Sequence, residues 1–511
     1  MMKIYRHPDE PTLLRALERP QPAMKSLDDF IESVFDAIRS RGDEAVRTFS
    51  ERFDGIRPDD LYVSEEEFEQ AKRILDPTLK EAIAIAAQNI RTFHESQVDG
   101  FQVDGFQVEA SQVDESLVDT TQVGGSRKQT PRKIETTPGV VCWRKSVGLE
   151  RVGLYIPGGT APLFSSVLML GIPARIAGCR DILLATPCSM RGGLSTPAGV
   201  NAPAGVSTAT DVSTATGAVH PAILFAASHI GLRKVLKVGG AQAIAAMAIG
   251  TSEIPKVDKI FGPGNSYVTA AKQRAQKEGV AIDMPAGPSE LMVVADATAN
   301  PVYIAADLLS QAEHGPDSQV LLVTDAEELV SAVHSEIERQ LARLPRREIA
   351  ETALSHSRCI IVPEHAFSRI MNLYAPEHLI LNTGDPESLA DTVLHAGSVF
   401  LGPFTPESLG DYASGTNHTL PTHGYARNYS GVSVDSFIRK ITFQRATKEG
   451  LHALGPVVER MAEAEQLMAH KFAVSYRYDI GDEDDAGVAG DAPADIPHND
   501  PRTREESSSG E

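Results

Sequence analysis

Leu291–Val323 reads LMVVADATANPVYIAADLLSQAEHGPDSQVLLV, and this stretch decides the fold. Leu291–Ala295 and Gln319–Val323 are short, apolar and rich in Val and Leu, as strands buried on both faces are. A helix is expected between them. Asn300 is a fitting N-cap, Pro301 suits the first helical position, and Gly315–Pro316 stops the helix. Strand, helix, strand is the unit of a parallel sheet covered by helices. Ile304, Leu308 and Gln311 share one helical face, and His314 follows three residues on. An amide oxygen and an imidazole at the end of an apolar stripe can share one ligand. The plainer alternative is a hydrogen-bonded core glutamine and a histidine favoured by the helix dipole.

The same alternation recurs on either side. Further strands are expected at Arg151–Ile156, Asp181–Ala185, Lys234–Val238, Cys359–Val362 and Ser398–Leu401, with helical stretches such as Gln242–Ile249 between them. The length calls for two such sheets. Residues 1–95 read as a helical amino-terminal unit, because Asp28–Ile38 and Thr78–Ala87 carry amphipathic spacing. Residues 436–477 read as a helical carboxy-terminal unit in which Gly455–Pro456 divides two helices. The predicted class is α/β, two Rossmann-like parallel-sheet domains with helical units at both ends.

Two segments interrupt this pattern. Pentads beginning QVDGF at Gln97 run to Ser126, within a loop spanning residues 96–128. A period of five fits neither helix nor strand, and six pentads are too few for a solenoid. Residues 192–217 repeat PAGV and VSTAT and read as a second loop expansion inside the first α/β unit. The tail, residues 478–511, has almost no apolar content and is expected to be disordered, as is the pentad loop.

Charge and cysteine usage exclude several classes. Of the net charge of −21, residues 478–511 carry −9, and residues 96–123 hold six acids and no base. No basic stripe supports nucleic-acid binding. No apolar run approaches a membrane span, and the amino terminus lacks a signal-peptide pattern. Cys142, Cys179, Cys188 and Cys359 form no CxxC pair, which suits a reduced cytoplasm and argues against a thiolate zinc site.

Several glycine turns follow strands: Pro157-Gly158-Gly159, Gly239-Gly240-Ala241-Gln242 and Gly262-Pro263-Gly264-Asn265. Glycine lets backbone approach a ligand, and a helix start offers N–H groups to phosphate. None completes GxGxxG, since Tyr267 stands at the third glycine, and no GxxxxGK[ST] occurs. Glu377-His378 sets two proton-transfer groups side by side. Asp411 and His418 fall in a glycine-containing loop. Glu465 and His470 stand five apart, about 140° around one helix.

The strings LLSQAEHGPDSQV, YAPEHL, GDYASGTNHTLPT, FGPGNSYVTAAK, IDMPAGPSE, KVGGAQAIAA and ERVGLYIPGG resemble the histidinol dehydrogenase family over roughly residues 25–477, the two repeat-bearing loops apart. The resemblance implies oxidation of L-histidinol to L-histidine through an enzyme-held aldehyde, with two NAD+ consumed, as the last step of histidine biosynthesis. It implies zinc on Gln311, His314, Asp411 and His470, and catalytic bases Glu377 and His378. Substrate contacts would be Ser289, Gln311, His314, His378, Asp411, His418, Glu465 and His470. NAD contacts would be Tyr155, Gln242 and Asn265. Residues 129–154 with 289–435 would bind metal and substrate, residues 155–288 would bind NAD, and residues 436–477 would dock on the partner of a homodimer with shared sites. Two rivals are a zinc hydrolase acting through Glu377, which leaves the glycine turns unexplained and lacks HExxH, and a non-catalytic metal-stabilised assembly protein.

Overall fold

The computed structural model describes residues 2–20, 27–98, 133–158, 162–188, 217–285 and 287–479. The acidic tail beyond 479, almost all of the pentad loop and the 192–217 repeat apart from Gly217 lie outside these residues. The chain divides into two compact units, residues 1–129 with 146–439 and residues 130–145 with 440–511.

The larger unit holds two parallel sheets. One has six strands in the order Lys3–Arg6, Arg358–Ile361, Gln319–Thr324, Glu290–Ala295, His378–Asn382, Ser398–Leu401. Three of its four inner strands, Gln319–Thr324, Glu290–Ala295 and His378–Asn382, are buried at every residue. Successive side chains leave a strand on opposite faces, and the packing follows that rule. Leu291, Val293 and Ala295 join Ile304, Leu308 and Val330 on one face. Met292 and Val294 join Leu13, Phe367, Ile370 and Tyr374 on the other. The second sheet has five strands in the order Val235–Leu236, Asp181–Ala185, Arg151–Tyr155, Lys259–Phe261, Ala281–Ile282. All pairings within each sheet are parallel. Among the described residues, no helix is long and apolar enough to cross a membrane.

Several expectations are corrected here. Residues 1–95 are not wholly helical: Lys3–Arg6 pairs with Arg358–Ile361 at the edge of the six-stranded sheet. Four residues carry too little periodicity to announce a strand. The helices that follow pack on the rest of the larger unit, as a helical unit docked on something else would. Asp28–Arg41 and Asp43–Asp54 pack on helix Gly240–Ile249, on one side of the five-stranded sheet, through Ile31, Val34, Phe35 and Val46. On the other side Pro77–Glu95 packs on helix Phe164–Ile176 through Ile83 and Ile90. The expected border at 154/155 falls inside Arg151–Tyr155, a central strand of the five-stranded sheet.

The carboxy-terminal region also differs. Ile438–Ala446 is a strand, joined with Val140–Gly148 and Lys133–Thr137 in a three-stranded sheet. Its sequence, IRKITFQRA, is exposed at eight of nine positions, so no apolar run marked it. The helix expected to break at Gly455–Pro456 runs on from Lys448 to Ala464. A Cβ at Gly455 would lie 1.5 Å from the Tyr478 hydroxyl, so the glycine is needed for helix contact and not for a stop. The stop comes at Gln466, with φ +60°: its N–H donates to Glu463 O at 3.0 Å, and Leu467 N–H donates to Ala462 O at 2.8 Å. That is the Schellman pattern, which usually uses Gly or Asn. Glu465 therefore caps one helix, and His470 lies in the first turn of the next, Met468–Asp479.

Candidate functional site

The helix Pro301–Ala312 forms as its sequence requires, with Asn300 Oδ1 accepting from Val302 N–H at 2.9 Å. Its last turn carries Gln311, fully buried, and His314 follows the C-cap. Gln311 Nε2 lies 3.4 Å from His314 Nδ1. Gln311 Oε1 is buried with no hydrogen-bond partner among the described residues, and a buried acceptor left in that state calls for a ligand or ion. His314 keeps an exposed edge, yet desolvation lowers its pKa, with Asp411 opposing that effect.

His378 opens the strand His378–Asn382, so the sheet itself fixes its place. Its Nε2 lies 3.5 Å from Asp411 Oδ1, and its Nδ1 lies 3.3 Å from the Glu290 carbonyl. Glu377 Oε2 and Glu407 Oε1 each stand 3.7 Å from Nδ1. Asp411 is not in a loop, as expected, but in the short helix Glu407–Tyr412. Its carbonyl lies 2.8 Å from His418 Nδ1, and His418 Nε2 lies 3.0 Å from Ser166 Oγ. Ser289 is half-buried, and its carbonyl accepts from Gln319 N–H at 3.1 Å.

Glu407 was not foreseen. Both its carboxylate oxygens are buried and have no hydrogen-bond partner among the described residues. His378, Glu407 and Asp411 bring ligand atoms within 4.8 Å of one another, a grouping able to hold a metal ion. It shares only Asp411 with the expected zinc set. The missed signal was the spacing: Glu407 precedes Asp411 by four residues, one helical turn. Reading the segment as a loop hid that.

Burial dominates the electrostatics. Desolvation pushes Glu377 up to about 8 and Glu407 well above the carboxylate range. Burial alone would lower His378, but Glu407, Glu377 and Asp411 overcome it and raise the imidazole to about 10. Desolvation would raise Asp411, yet the His378 imidazole beside it holds it low. Asp307, one turn before Gln311 on the same helix, is raised to about 7 by burial. Carboxylates crowded in a dry site favour a cation. The donors are oxygen and nitrogen, a set suited to zinc and also to manganese or cobalt.

A second layer fixes this cluster. Glu290 N–H donates to Glu377 Oε2 at 2.8 Å. The Glu290 side chain is in turn gripped by Arg19 through two bonds of 2.5 and 2.8 Å. Arg19 also donates to Tyr374 O at 2.7 Å and lies 3.9 Å from that ring's centroid. Nothing in the sequence joined positions 19 and 290.

Tyr155, Gln242 and Asn265 all line one cleft of about 810 Å³. Tyr155 ends its strand, Gln242 lies in the first turn of helix Gly240–Ile249, and Asn265 caps helix Ser266–Ala275 through Val268 N–H at 3.1 Å. Gly262, with φ +124°, lets the glycine turn press on strand Arg151–Tyr155, since a Cβ there would lie 2.0 Å from the Tyr155 carbonyl oxygen. Glu465 and His470 stand on the smaller unit and are solvent-exposed.

A family model described as histidinol dehydrogenase matches residues 17–202 and 194–478. The histidinol dehydrogenase of Bacteroides thetaiotaomicron is 49% identical over 478 residues, covering 93% of this chain and 99% of the relative. The chloroplastic histidinol dehydrogenase of Arabidopsis thaliana is 47% identical over 464 residues, covering 90% and 87%. The crystal structure of histidinol dehydrogenase from Elizabethkingia anophelis superposes with a TM-score of 0.82 at 46% identity, covering 94% and 99%.

Proposed function

The chain belongs to the histidinol dehydrogenase family, an oxidoreductase of histidine biosynthesis, and from that premise we propose how its residues divide the work. Tyr155, Gln242 and Asn265, in the cleft of the five-stranded sheet, would hold NAD+, which would supply the hydride acceptor for both oxidations. Zinc on Gln311, His314 and Asp411 would supply a template for the imidazole and amino groups of L-histidinol. The observation that carries this reading is the orphaned, buried Oε1 of Gln311 beside His314 and the acidic cluster.

His378 takes the hydroxyl proton. Glu407, Glu377 and Asp411 beside it raise its pKa to about 10, which makes the imidazole a strong proton acceptor. Glu377, poised at about 8 by burial, serves as the base that activates water to hydrate the aldehyde, close to the pKa at which general bases work best. Ser289 and His418 add further substrate contacts from the same chain. Burial of Glu377, His378 and Glu407 keeps bulk water from the aldehyde between the two oxidations.

The two remaining contacts come from a second copy. Val458, Met461, Leu467, Met468 and Phe472 on the small helical unit are exposed. An apolar surface of that kind on a small unit fits docking against another protein. In an isologous homodimer each chain lends Glu465 and His470 to the other's site. Four free cysteines fit the cytoplasm.

The test combines turnover with subunit exchange. NADH absorbance should rise with histidinol and NAD+, which neither a zinc hydrolase nor an assembly protein produces. Exhaustive chelation should abolish the signal, and zinc should restore it. Mixing inactive His378→Ala and His470→Ala chains should recover at most roughly a quarter of wild-type activity, because one site per mixed dimer carries neither lesion. Background activity after proven exchange would place the whole site in one chain.

A further inference from the structure

The helices before residue 95 carry no chemical motif, yet they build one end of the cofactor cleft. Phe53 stacks on Phe49 at 5.8 Å and meets Phe30 edge-on at 5.7 Å, and Phe30 meets Tyr267 edge-on at 5.5 Å. Phe30, Phe53 and Tyr267 line the cleft, and Phe53 and Tyr267 are each 46% exposed, so open ring surface faces whatever enters. Asp54, the last residue of helix Asp43–Asp54, lies in the same corner. Its carboxylate accepts from Gln242 Nε2 at 3.3 Å and from the Gly239 N–H.

That places a carboxylate at the start of helix Gly240–Ile249, where a nucleotide-binding turn would seat a phosphate. The Gly240 N–H is also taken, donating to the Tyr155 hydroxyl at 3.1 Å. A phosphate brought there would meet a like charge, whereas a hydroxyl donor would find an acceptor. A standard βαβ unit carries its ribose-binding acid just after the second strand. Here the second strand, Asp181–Ala185, is followed by Thr186, Pro187 and Cys188, which line the cleft without an acid among them. The acid arrives instead from a helix about a hundred residues upstream of the sheet's first strand.

The orientation of the cofactor follows from the opposite end. Pro162 lines the cleft just before helix Phe164–Ile176, whose Ser166 contacts His418 in the substrate cluster. The reacting ring therefore belongs near Pro162, and the adenosine belongs in the aromatic corner.

We propose that Asp54 selects the cofactor: together with Phe30, Phe53 and Tyr267 it forms the adenosine subsite, accepting the ribose hydroxyls of NAD+ and repelling the 2′-phosphate of NADP+. This rests on the assignment of the cleft to NAD+ above. Arg52, at the rim with its guanidinium 5.1 Å from the Phe53 centroid, is the competing influence on a phosphate.

The experiment measures kcat and KM for NAD+ and for NADP+, with calorimetric binding of each, in wild type and in Asp54→Asn, Phe53→Ala and Arg52→Ala. Wild type should favour NAD+. Asp54→Asn should narrow the ratio of kcat/KM values by about tenfold or more, the effect of roughly 1.4 kcal/mol of lost repulsion, chiefly by lowering KM for NADP+. Phe53→Ala should raise KM for both cofactors and spare kcat. If Asp54→Asn leaves the ratio unchanged, if Arg52→Ala alone moves it, or if wild type uses both cofactors equally, the selecting role is overturned while the cleft assignment stands. If folded wild type binds neither cofactor, the assignment fails with it.

Discussion

Arg19→Met tests whether the site is held from behind. The guanidinium makes two bonds to Glu290, one of 2.5 and one of 2.8 Å, and a third to Tyr374 O. The pair is deeply buried, with side-chain exposures of 14% for Arg19 and 3% for Glu290. Removing one partner of a buried pair strands the other charge and costs roughly 3–5 kcal/mol. The His423 N–H, 2.8 Å from Glu290 Oε1, remains but is neutral and does not replace a cation. Adding Glu290→Gln removes the stranded charge, so the double variant should be more stable than Arg19→Met by roughly 1–3 kcal/mol. Urea midpoints of wild type, both single variants and the double variant at neutral pH measure this cycle. Activity should follow, because the backbone of Glu290 touches both Glu377 and His378. Folded Arg19→Met should lose roughly 10- to 100-fold in turnover, as small misplacements of catalytic groups do. A double variant less stable than Arg19→Met would refute the stranded-charge argument, and full activity in Arg19→Met would refute the positioning.

Glu377→Gln should spare histidinol oxidation to the aldehyde more than aldehyde oxidation to the acid, whereas His378→Ala should harm both; equal damage by Glu377→Gln rejects the division. Gln311→Ala should lower bound zinc measured by atomic absorption without unfolding the chain, since the buried Oε1 has no protein partner to lose. Gly455→Ala should destabilise the helical pair by roughly 1–3 kcal/mol, because the new methyl would overlap the Tyr478 hydroxyl; an unchanged melting temperature would contradict that contact. For Asp54, burial raises the folded pKa from 3.8 to about 6. The folded state therefore loses stability relative to the unfolded chain as pH rises through that window. Asp54→Asn should gain on wild type between about pH 4 and pH 6 and hold a constant lead above it, as urea midpoints across pH would show.

Much of this molecule was legible in the chain. Leu291–Ala295 and Gln319–Val323 announced parallel strands because burial on both faces demands an unbroken apolar run, and Asn300–Pro301 announced a helix start because its chemistry is local. The expected site residues could be named because long motifs matched a family. What the chain left unread was non-local or weakly periodic. Lys3–Arg6 is too short to show a period, Ile438–Ala446 is too exposed to show an apolar face, and Gln466 ends a helix in a conformation its type seldom adopts. Glu407 looked like one more surface acid, and Asp54 and Arg19 looked like ordinary helix-end charges. Only folding decided that Glu407 is dry beside His378, that Asp54 guards a cleft, and that Arg19 grips Glu290. The physical reason is that a carboxylate's character depends on its solvent and its neighbours. Both are set by elements that lie far apart in the chain and meet only on folding, which local sequence pattern does not encode.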